Sequence, residues 1–232
     1  GFTITGQGGI DIITGGSGAD IITDGSGNVN DTITGGAGND IITIAAGTDI
    51  VKDLGGASGT DEDVVVIKTG ASLDAVDIIG FTATSDTKND STSASNATLT
   101  AKDANDVTID VSKATGSSGA FKLVGGTGKD TLTGGAGADI ITGGDDIDTI
   151  DGGAANDIIT GGAGNDIITG GDGNDSITID TDTDKINDLG GSTGNDQDVV
   201  IVKAGSTLNA INIIGFTATN STQNNSTGAL NA

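Results

Sequence analysis

The sequence predicts an all-β solenoid, in which very short parallel strands stack as two facing sheets around a thin aliphatic core. A nine-residue repeat runs through residues 6–52 and 125–187. Within each repeat, Gly dominates the first, second and fourth positions, Asp holds the sixth, and the eighth is Ile, Leu or Val. Gly and Asp are poor helix formers, and this composition excludes a helix bundle.

The first array begins at Gly6 with GQGGIDIIT and continues with GGSGADIIT, an eleven-residue DGSGNVNDTIT (24–34), GGAGNDIIT and a degenerate IAAGTDIVK (44–52). The glycines permit a tight turn, and the short strand after it points one aliphatic side chain inward. No single unit can bury that side chain, so the units must stack.

The second array has six nonamers between Gly125 and Thr178, followed by the degenerate IDTDTDKIN (179–187). Asp146 and Ala155 replace the fourth-position Gly of two units. We expect these replacements to bend the turn or to weaken the binding of any ligand there. The predicted core of both arrays consists of the eighth-position side chains: Ile13, Ile22, Ile33, Ile42, Val51, Leu132, Ile141, Ile150, Ile159, Ile168, Ile177 and Ile186.

Composition excludes several classes of function. The 232 residues include 42 Gly and no Cys, His, Tyr or Trp, and the net charge is −24. Without His and Cys there is no Ser/His/Asp triad, thiol nucleophile or thiolate metal site, and the chain is not expected to be an enzyme. The acidity argues against nucleic acid as a partner, and no apolar run is long enough for membrane insertion.

The nonamers resemble the RTX (repeats-in-toxin) family of secreted calcium-binding proteins, whose consensus is GGxGxDxUx. The resemblance implies a right-handed parallel β-roll with several Ca²⁺ ions between stacked turns. Glycine carbonyls and carboxylates are the hard oxygens that calcium prefers. The alternative is that each Asp only caps its own turn. The ligands that the resemblance implies within the repeats are Asp11, Asp20, Asp31, Asp40, Asp49, Asp130, Asp139, Asp148, Asp157, Asp166, Asp175 and Asp184, with the turn glycines Gly16, Gly18, Gly36, Gly38, Gly126, Gly128, Gly135, Gly137, Gly162, Gly164, Gly171 and Gly173.

An acidic passage follows each array, DIVKDLGGASGTDEDVVVI (49–67) and DKINDLGGSTGNDQDVVIV (184–202). It resembles the segment that closes an RTX roll, although a solvated acidic loop is an equally good interpretation. The further calcium ligands that this resemblance implies are Asp53, Asp61, Asp63, Asp188, Asp196 and Asp198.

Residues 63–97 align without gaps on 198–232, so the chain is built from a duplicated cassette. We predict a first RTX roll with its acidic cap (1–67), a β-rich Ser/Thr segment that continues the stacked architecture (68–120), a second roll with its cap (121–202) and a partial copy of the segment (203–232). Within the segment, the polar residues 85–96 are expected to form a mobile loop. The chain stops within the last copy, which suggests a piece of a longer repetitive protein.

The seventh position points outward, and several of these residues are Ile. Counting units in sequence predicts that Ile21, Ile41, Ile140 and Ile158 share one apolar outer face, which would pack on the intervening segment or on a neighbouring subunit.

These features suggest a calcium-dependent structural module of a bacterial surface-layer (S-layer) protein, exported by type I secretion and assembled with other copies of itself at the cell surface. Calcium binding outside the cell would supply the folding free energy. The alternatives are a rigid extender of a large RTX adhesin and the C-terminal roll of a secreted enzyme.

Overall fold

The computed structural model describes residues 1–56, 59–92, 96–102, 105–116, 119–180, 182–189, 196–210 and 223–224. In these residues all regular strands pair in parallel, and no α-helix is present. The chain is a β-solenoid, as predicted, and no helix among the described residues is long and apolar enough to cross a membrane.

Three sheets form the solenoid. An eleven-stranded sheet runs through both arrays and the segment between them. Its strands, in spatial order, are β2 (Ile12–Ser17), β4 (Thr32–Ala37), β6 (Thr48–Lys52), β8 (Ser72–Ile78), β11 (Ala97–Ala101), β13 (Lys122–Thr127), β15 (Ile140–Asp145), β17 (Ile158–Ala163), β19 (Ser176–Ile179), β21 (Val199–Val202) and β23 (Gln223–Asn224).

Two shorter sheets complete the coils. The five-stranded sheet belongs to the first array and contains β1 (Thr3–Gln7), β3 (Ile21–Gly25), β5 (Ile41–Ile44), β7 (Val64–Ile67) and β10 (Lys88–Asn89). The seven-stranded sheet belongs to the segment and the second array and contains β9 (Gly80–Thr82), β12 (Thr108–Asp110), β14 (Thr131–Thr133), β16 (Thr149–Ala154), β18 (Ile167–Asp172), β20 (Asp182–Asp188) and β22 (Ser206–Ala210).

The register repeats every two nonamers. Ile141 pairs with Ile159 and Ile159 with Ile177, so each coil of the second array takes 18 residues and sets equivalent side chains directly over one another. All twelve predicted core side chains are buried, the most exposed being Ile13 at 6%. The predicted aliphatic core is therefore confirmed.

The intervening segment continues the same stack, as predicted. β8 and β11 join the eleven-stranded sheet between β6 and β13, and β9 and β12 extend the seven-stranded sheet. The prediction of a mobile loop over 85–96 is wrong for its central residues, because β10 pairs with β7 and Asn89 is fully buried. The Asn89 amide donates to the Ala120 carbonyl and its Oδ1 accepts the Ser91 N–H, so a polar stretch is held inside by its own hydrogen bonds.

The prediction of a single apolar outer face is also wrong. Ile21 and Ile41 lie in the five-stranded sheet, whereas Ile140 and Ile158 lie in the eleven-stranded sheet. The longer coils of the segment shift the alternation of units between faces, and a count along the sequence cannot detect that shift. Ile21, Ile41 and Ile158 are 49%, 41% and 54% exposed, so they do not pack on the segment.

Most of the partial copy predicted at 203–232 lies outside the described residues. Only 203–210 and the short strand β23 are described.

Candidate calcium-binding turns

The sixth-position aspartates stack in four columns, one beside each edge where a turn enters a strand, and a cap aspartate ends two of the columns. We call these columns the carboxylate ladders. Two ladders belong to the first array and two to the second. Their members are Asp11, Asp31 and Asp49; Asp20, Asp40 and Asp63; Asp130, Asp148, Asp166 and Asp184; and Asp139, Asp157, Asp175 and Asp198.

Each ladder is built from one repeated hydrogen bond. The backbone N–H of one Asp donates to Oδ1 of the Asp in the next coil, with N···O distances of 2.7–3.0 Å throughout. For example, the Asp148 N–H donates to Asp166 Oδ1 at 2.9 Å. The carboxylates therefore link successive coils.

The alternative interpretation, in which each Asp caps its own turn, fits few positions. Within the described residues, a bond from the same repeat unit reaches Asp11, whose Oδ2 accepts the Gln7 N–H, and Asp139, whose Oδ2 accepts the Gly135 N–H. At most positions the side chain bonds a residue 18 or more positions away in the sequence.

The second carboxylate oxygen is left without a hydrogen bond at most ladder positions. These Oδ2 atoms are buried, and within the described residues no donor reaches them. The carboxylates concerned are Asp20, Asp40, Asp49, Asp130, Asp148, Asp157, Asp166, Asp175 and Asp184. A buried polar atom without a partner is costly, and a buried charge more so, unless a cation compensates it.

Beside several of these atoms, a carbonyl oxygen of the next coil approaches the same point of the turn as the unpartnered carboxylate oxygen. A Cβ placed on Gly143, the first residue of its unit, would lie 2.3 Å from Asp148 Oδ2 and 2.5 Å from the Gly161 carbonyl oxygen of the next coil. Gly152 shows the same arrangement, with Asp157 Oδ2 at 2.5 Å and the Gly170 carbonyl oxygen at 2.4 Å. Carboxylate and carbonyl oxygens around one space are the donor set that calcium prefers, so the residues present fit the ion that the sequence predicts.

The second glycine of each unit lets the coils approach closely. Gly162 has φ of +110°, and a Cβ there would lie 2.0 Å from the Gly144 carbonyl oxygen. Of the twelve glycines implied as carbonyl donors, all but Gly135 and Gly137 have positive φ. Gly135 donates instead to Asp139 Oδ2, so the turn at 134–139 departs from the others.

The expected distortion at Asp146 and Ala155 does not occur. Both residues adopt the left-handed conformation of the glycine they replace, with φ of +74° and +79°. The strand register on either side is unbroken, since Gly144 pairs with Gly162 and Gly153 with Gly171.

Burial raises the pKa of several ladder carboxyls, and at some of them the charges of neighbouring rungs raise it further. The pKa of Asp157 reaches about 8, because desolvation outweighs the hydrogen bond from the Asp139 N–H and because Asp139 and Asp175 add repulsion. By the same causes the pKa rises to about 7 at Asp148, Asp175 and Asp184. Without metal, these four carboxyls therefore hold protons near neutral pH.

The acidic caps bring their carboxylates to the last rung of a ladder. In the first array, Asp61 Oδ2 accepts the Gly38 N–H at 2.9 Å, while Asp63 accepts the N–H groups of Asp40 and Gly55 at 2.8 Å each. The charges of Asp53 and Asp61 help to raise the pKa of Asp40, after desolvation and Asp20. These residues therefore lie around one turn of the first array. This placement argues against the alternative interpretation, in which the cap is a solvated acidic loop.

The second cap repeats this arrangement. Asp196 Oδ2 accepts the Gly173 N–H at 3.0 Å and Asp198 Oδ1 accepts the Asp175 N–H at 2.9 Å. Asp198, Asp196 and Asp188 contribute the repulsion that adds to desolvation in raising the pKa of Asp175.

One buried carboxylate near the ladders was not predicted from the sequence. Asp24, the first residue of the eleven-residue unit, is 1% exposed, and a carboxylate oxygen of each of Asp24, Asp31 and Asp49 lies within 4.8 Å of the other two. The signal was an Asp at a first position that is otherwise Gly or apolar, in the unit with two extra residues.

The comparisons with known proteins agree with this geometry. The family model of the RTX calcium-binding nonapeptide repeat (4 copies) matches residues 3–28, 30–51, 115–150 and 142–177. Among curated proteins and among solved structures, neither comparison found a significant match. The matched residues contain every ladder aspartate except Asp63, Asp184 and Asp198.

Proposed function

We propose that this chain, in which the model of the RTX calcium-binding nonapeptide repeat matches four stretches, is a calcium-dependent S-layer module. Such repeats bind several Ca²⁺ ions and are typical of secreted proteins. In this proposal calcium binding outside the cell folds the chain, and folded copies associate side by side into a lattice on the bacterial surface. Export of the unfolded chain through a type I secretion channel is part of the proposal.

The observation that carries the calcium dependence is the row of nine buried Oδ2 atoms without a hydrogen-bond partner in the described residues. The two salt bridges found there, Lys88–Asp90 and Lys203–Asp180, use none of these carboxylates. A divalent cation at each turn would neutralise two rungs at once, and it would convert repulsion between coils into a bond.

Lateral assembly is supported by the outward isoleucines. Ile12 is 83% exposed and Ile158 is 54% exposed on the eleven-stranded sheet, and Ile21 is 49% exposed on the five-stranded sheet. Apolar side chains on more than one outer face suit contacts with several neighbours, as a lattice requires.

The test has two parts. Circular dichroism of the metal-free chain, followed by calcium titration at fixed ionic strength, should show a cooperative gain of β-structure that NaCl at the same ionic strength does not produce. Electron microscopy at millimolar calcium should then show two-dimensional sheets. A fold that survives complete chelation would refute the calcium dependence, and monodisperse single particles at high protein and calcium concentration would refute the lattice.

One observation favours a second candidate, the extender of a large adhesin. The eleven-stranded sheet is continuous, and at ~4.8 Å per strand it spans roughly 50 Å as a single stiff body. A spacer of this kind would appear in the same micrographs as separate rods or end-to-end fibres.

A further inference from the structure

The eleven-residue unit 24–34 interrupts the regular pattern of the first array. In the regular units, the first residue is Gly because a Cβ would lie within 2.3–2.6 Å of the carboxylate five residues later, as at Gly15, Gly143 and Gly161. In the unit 24–34 two extra residues separate the first position from the ladder carboxylate, so Asp31 follows Asp24 by seven residues. This unit thus combines a longer spacing with a polar side chain at the first position.

Asp24 uses that room to place a carboxylate between two coils. It is 1% exposed, its Oδ1 and Oδ2 each accept the Ala45 N–H at 2.9 Å, and Oδ2 also accepts the Ala46 N–H at 3.1 Å. These three bonds fix the carboxylate at the start of the next turn. Each of its oxygens keeps acceptor capacity beyond them.

Asp31 and Asp49 reach the same point from consecutive rungs of one ladder. They are 3% and 0% exposed, and an oxygen from each of the three carboxylates lies within 4.8 Å of the others. Oxygens that share one Ca²⁺ at 2.3–2.6 Å are separated by at most about 5 Å, so this spacing accommodates one ion.

An unpartnered atom supplies independent evidence for a ligand. Asp49 Oδ1 accepts the Asp31 N–H at 2.7 Å, but Asp49 Oδ2 is buried with no hydrogen bond in the described part of the chain. That oxygen is the one left to coordinate. A carboxylate oxygen of Asp49 lies within 4.8 Å of one of Asp24, so the two groups are close enough to share one ion.

We propose that Asp24, Asp31 and Asp49 form a three-carboxylate calcium site that binds more tightly than the regular turns and fills first. The proposal rests on the proposed calcium-dependent function and deepens it. A regular turn offers carboxylates from two rungs, whereas this site adds a third, and calcium affinity rises with the number of charged ligands. The second array has Gly at the first position of all six nonamers, so it has no such site.

The experiment is a calcium titration by equilibrium dialysis and calorimetry on the full chain and on three variants, Asp24→Asn, Asp157→Asn and Asp86→Asn. The wild type should bind one ion at a calcium concentration about tenfold below the concentration that fills the remaining sites. Asp24→Asn should weaken that first ion at least about tenfold. Asp157→Asn, in a regular ladder of the second array, should leave it unchanged, as should Asp86→Asn, an exposed charge outside every ladder.

Asp49→Asn provides a second route, because Asn keeps an acceptor for the Asp31 N–H while removing the unpartnered charged oxygen. It should abolish the same early ion. Circular dichroism at saturating calcium identifies any variant that fails to fold. The proposal is overturned when the wild type shows a single class of sites, or when the folded Asp24→Asn protein titrates like Asp86→Asn; in both cases ordinary calcium binding, and with it the proposed function, still stands. A wild type that binds no calcium removes both.

Discussion

The two rolls and the segment between them share one continuous sheet, but different interactions hold their coils together. In the second roll each coil takes 18 residues, and Ile159 stacks directly on Ile141. In the segment, Leu99 pairs with Leu123, 24 residues further on, so each coil is longer. The rolls bury rows of carboxylates, whereas the described part of 68–120 has no buried carboxylate oxygen without a partner.

The longer coils of the segment bury more apolar side chains, and their buried polar side chains are hydrogen-bonded. They bury Phe81, Leu99 and Ile109 together with many alanines, and their buried polar side chains, such as Asn89, satisfy themselves by hydrogen bonds. Additional apolar surface stabilises a coil without any ion. We therefore expect the short coil to depend on a cation at its turn near neutral pH, and the long coil to depend mainly on its own apolar core.

The largest expected difference between the second roll and the segment is their response to removal of calcium by a chelator. Without calcium, hydrogen–deuterium exchange of the amides in β15–β19 should accelerate on the order of a hundredfold. This is the stabilisation lost when calcium is removed from a site whose free calcium concentration was about 100 times the dissociation constant. The amides of β8 and β11 should be affected far less. Exchange measured by mass spectrometry with and without chelator checks this, and an equal acceleration in the two regions would contradict the comparison.

In the absence of calcium, low pH should stabilise the rolls, because protons then neutralise the ladder carboxyls. Asp157, Asp148 and Asp184 have their pKa raised by burial from 3.8 to between about 7 and about 8, so the folded metal-free roll binds protons that the unfolded chain releases. Its stability is then highest below about pH 4 and is lost as the pH rises through the folded values, towards pH 8. With calcium the dependence reverses, because the ion needs ionised carboxylates.

Thermal melts of metal-free and calcium-saturated protein between pH 4 and pH 8 measure both slopes. We expect the metal-free midpoint to fall with rising pH and the calcium-bound midpoint to rise. A metal-free midpoint that rises with pH would show that the ladder carboxyls do not hold protons.

The effect of a single ladder substitution on the free energy of unfolding should have opposite signs with and without calcium. Asp157→Asn keeps an oxygen that can accept the Asp139 N–H but removes the charge. In calcium it should lower the free energy of unfolding by about 1–3 kcal/mol, because a ligand is lost. In metal-free protein near neutral pH it should stabilise the roll, because a buried Asn needs neither the desolvation of a charge nor the proton uptake that the Asp157 carboxyl needs on folding, and it is not repelled by Asp139 and Asp175.

Denaturant melts of Asp157→Asn in both conditions measure the two effects. Asp86→Asn is the matched control, since Asp86 is exposed in the segment, and it should shift neither melt by more than a few tenths of a kcal/mol. Destabilisation by Asp157→Asn in both conditions would indicate a purely structural role for this carboxylate.

The repeat made most of the roll predictable. A strict nine-residue period fixes which aliphatic side chain points inward, and it places every sixth-position Asp at a turn, so the core and the ladders could be predicted without coordinates. The hydrogen bond from each N–H to the Oδ1 of the next coil could not, because a sequence pattern does not show which oxygen is used. The coil length of the segment could not be predicted either. For this reason the predicted common face of Ile140 and Ile158 with Ile21 and Ile41 is wrong.

Asp24 shows where a consensus fails. Its unit matches the repeat except for one replaced glycine and two added residues, and each departure alone resembles an imperfection. Only the stacking of coils shows what they produce together, because it brings the Asp24 carboxylate beside those of Asp31 and Asp49.

The smallest expected effect concerns two adjacent alanines in one turn of the second roll. Ala155 has φ of +79°, a conformation that costs a residue with a Cβ about 1 kcal/mol relative to Gly, whereas its neighbour Ala154 lies in β16 with ordinary φ. Ala155→Gly should therefore raise the free energy of unfolding in calcium by about 1 kcal/mol, and Ala154→Gly should lower it by about 0.5–1 kcal/mol through the lost conformational restriction. Denaturant melts of the pair measure both changes against the same background. Opposite signs at neighbouring positions would show that the turn enforces the glycine conformation whatever residue occupies it, while equal losses would mean that Ala155 relaxes out of the left-handed region in solution.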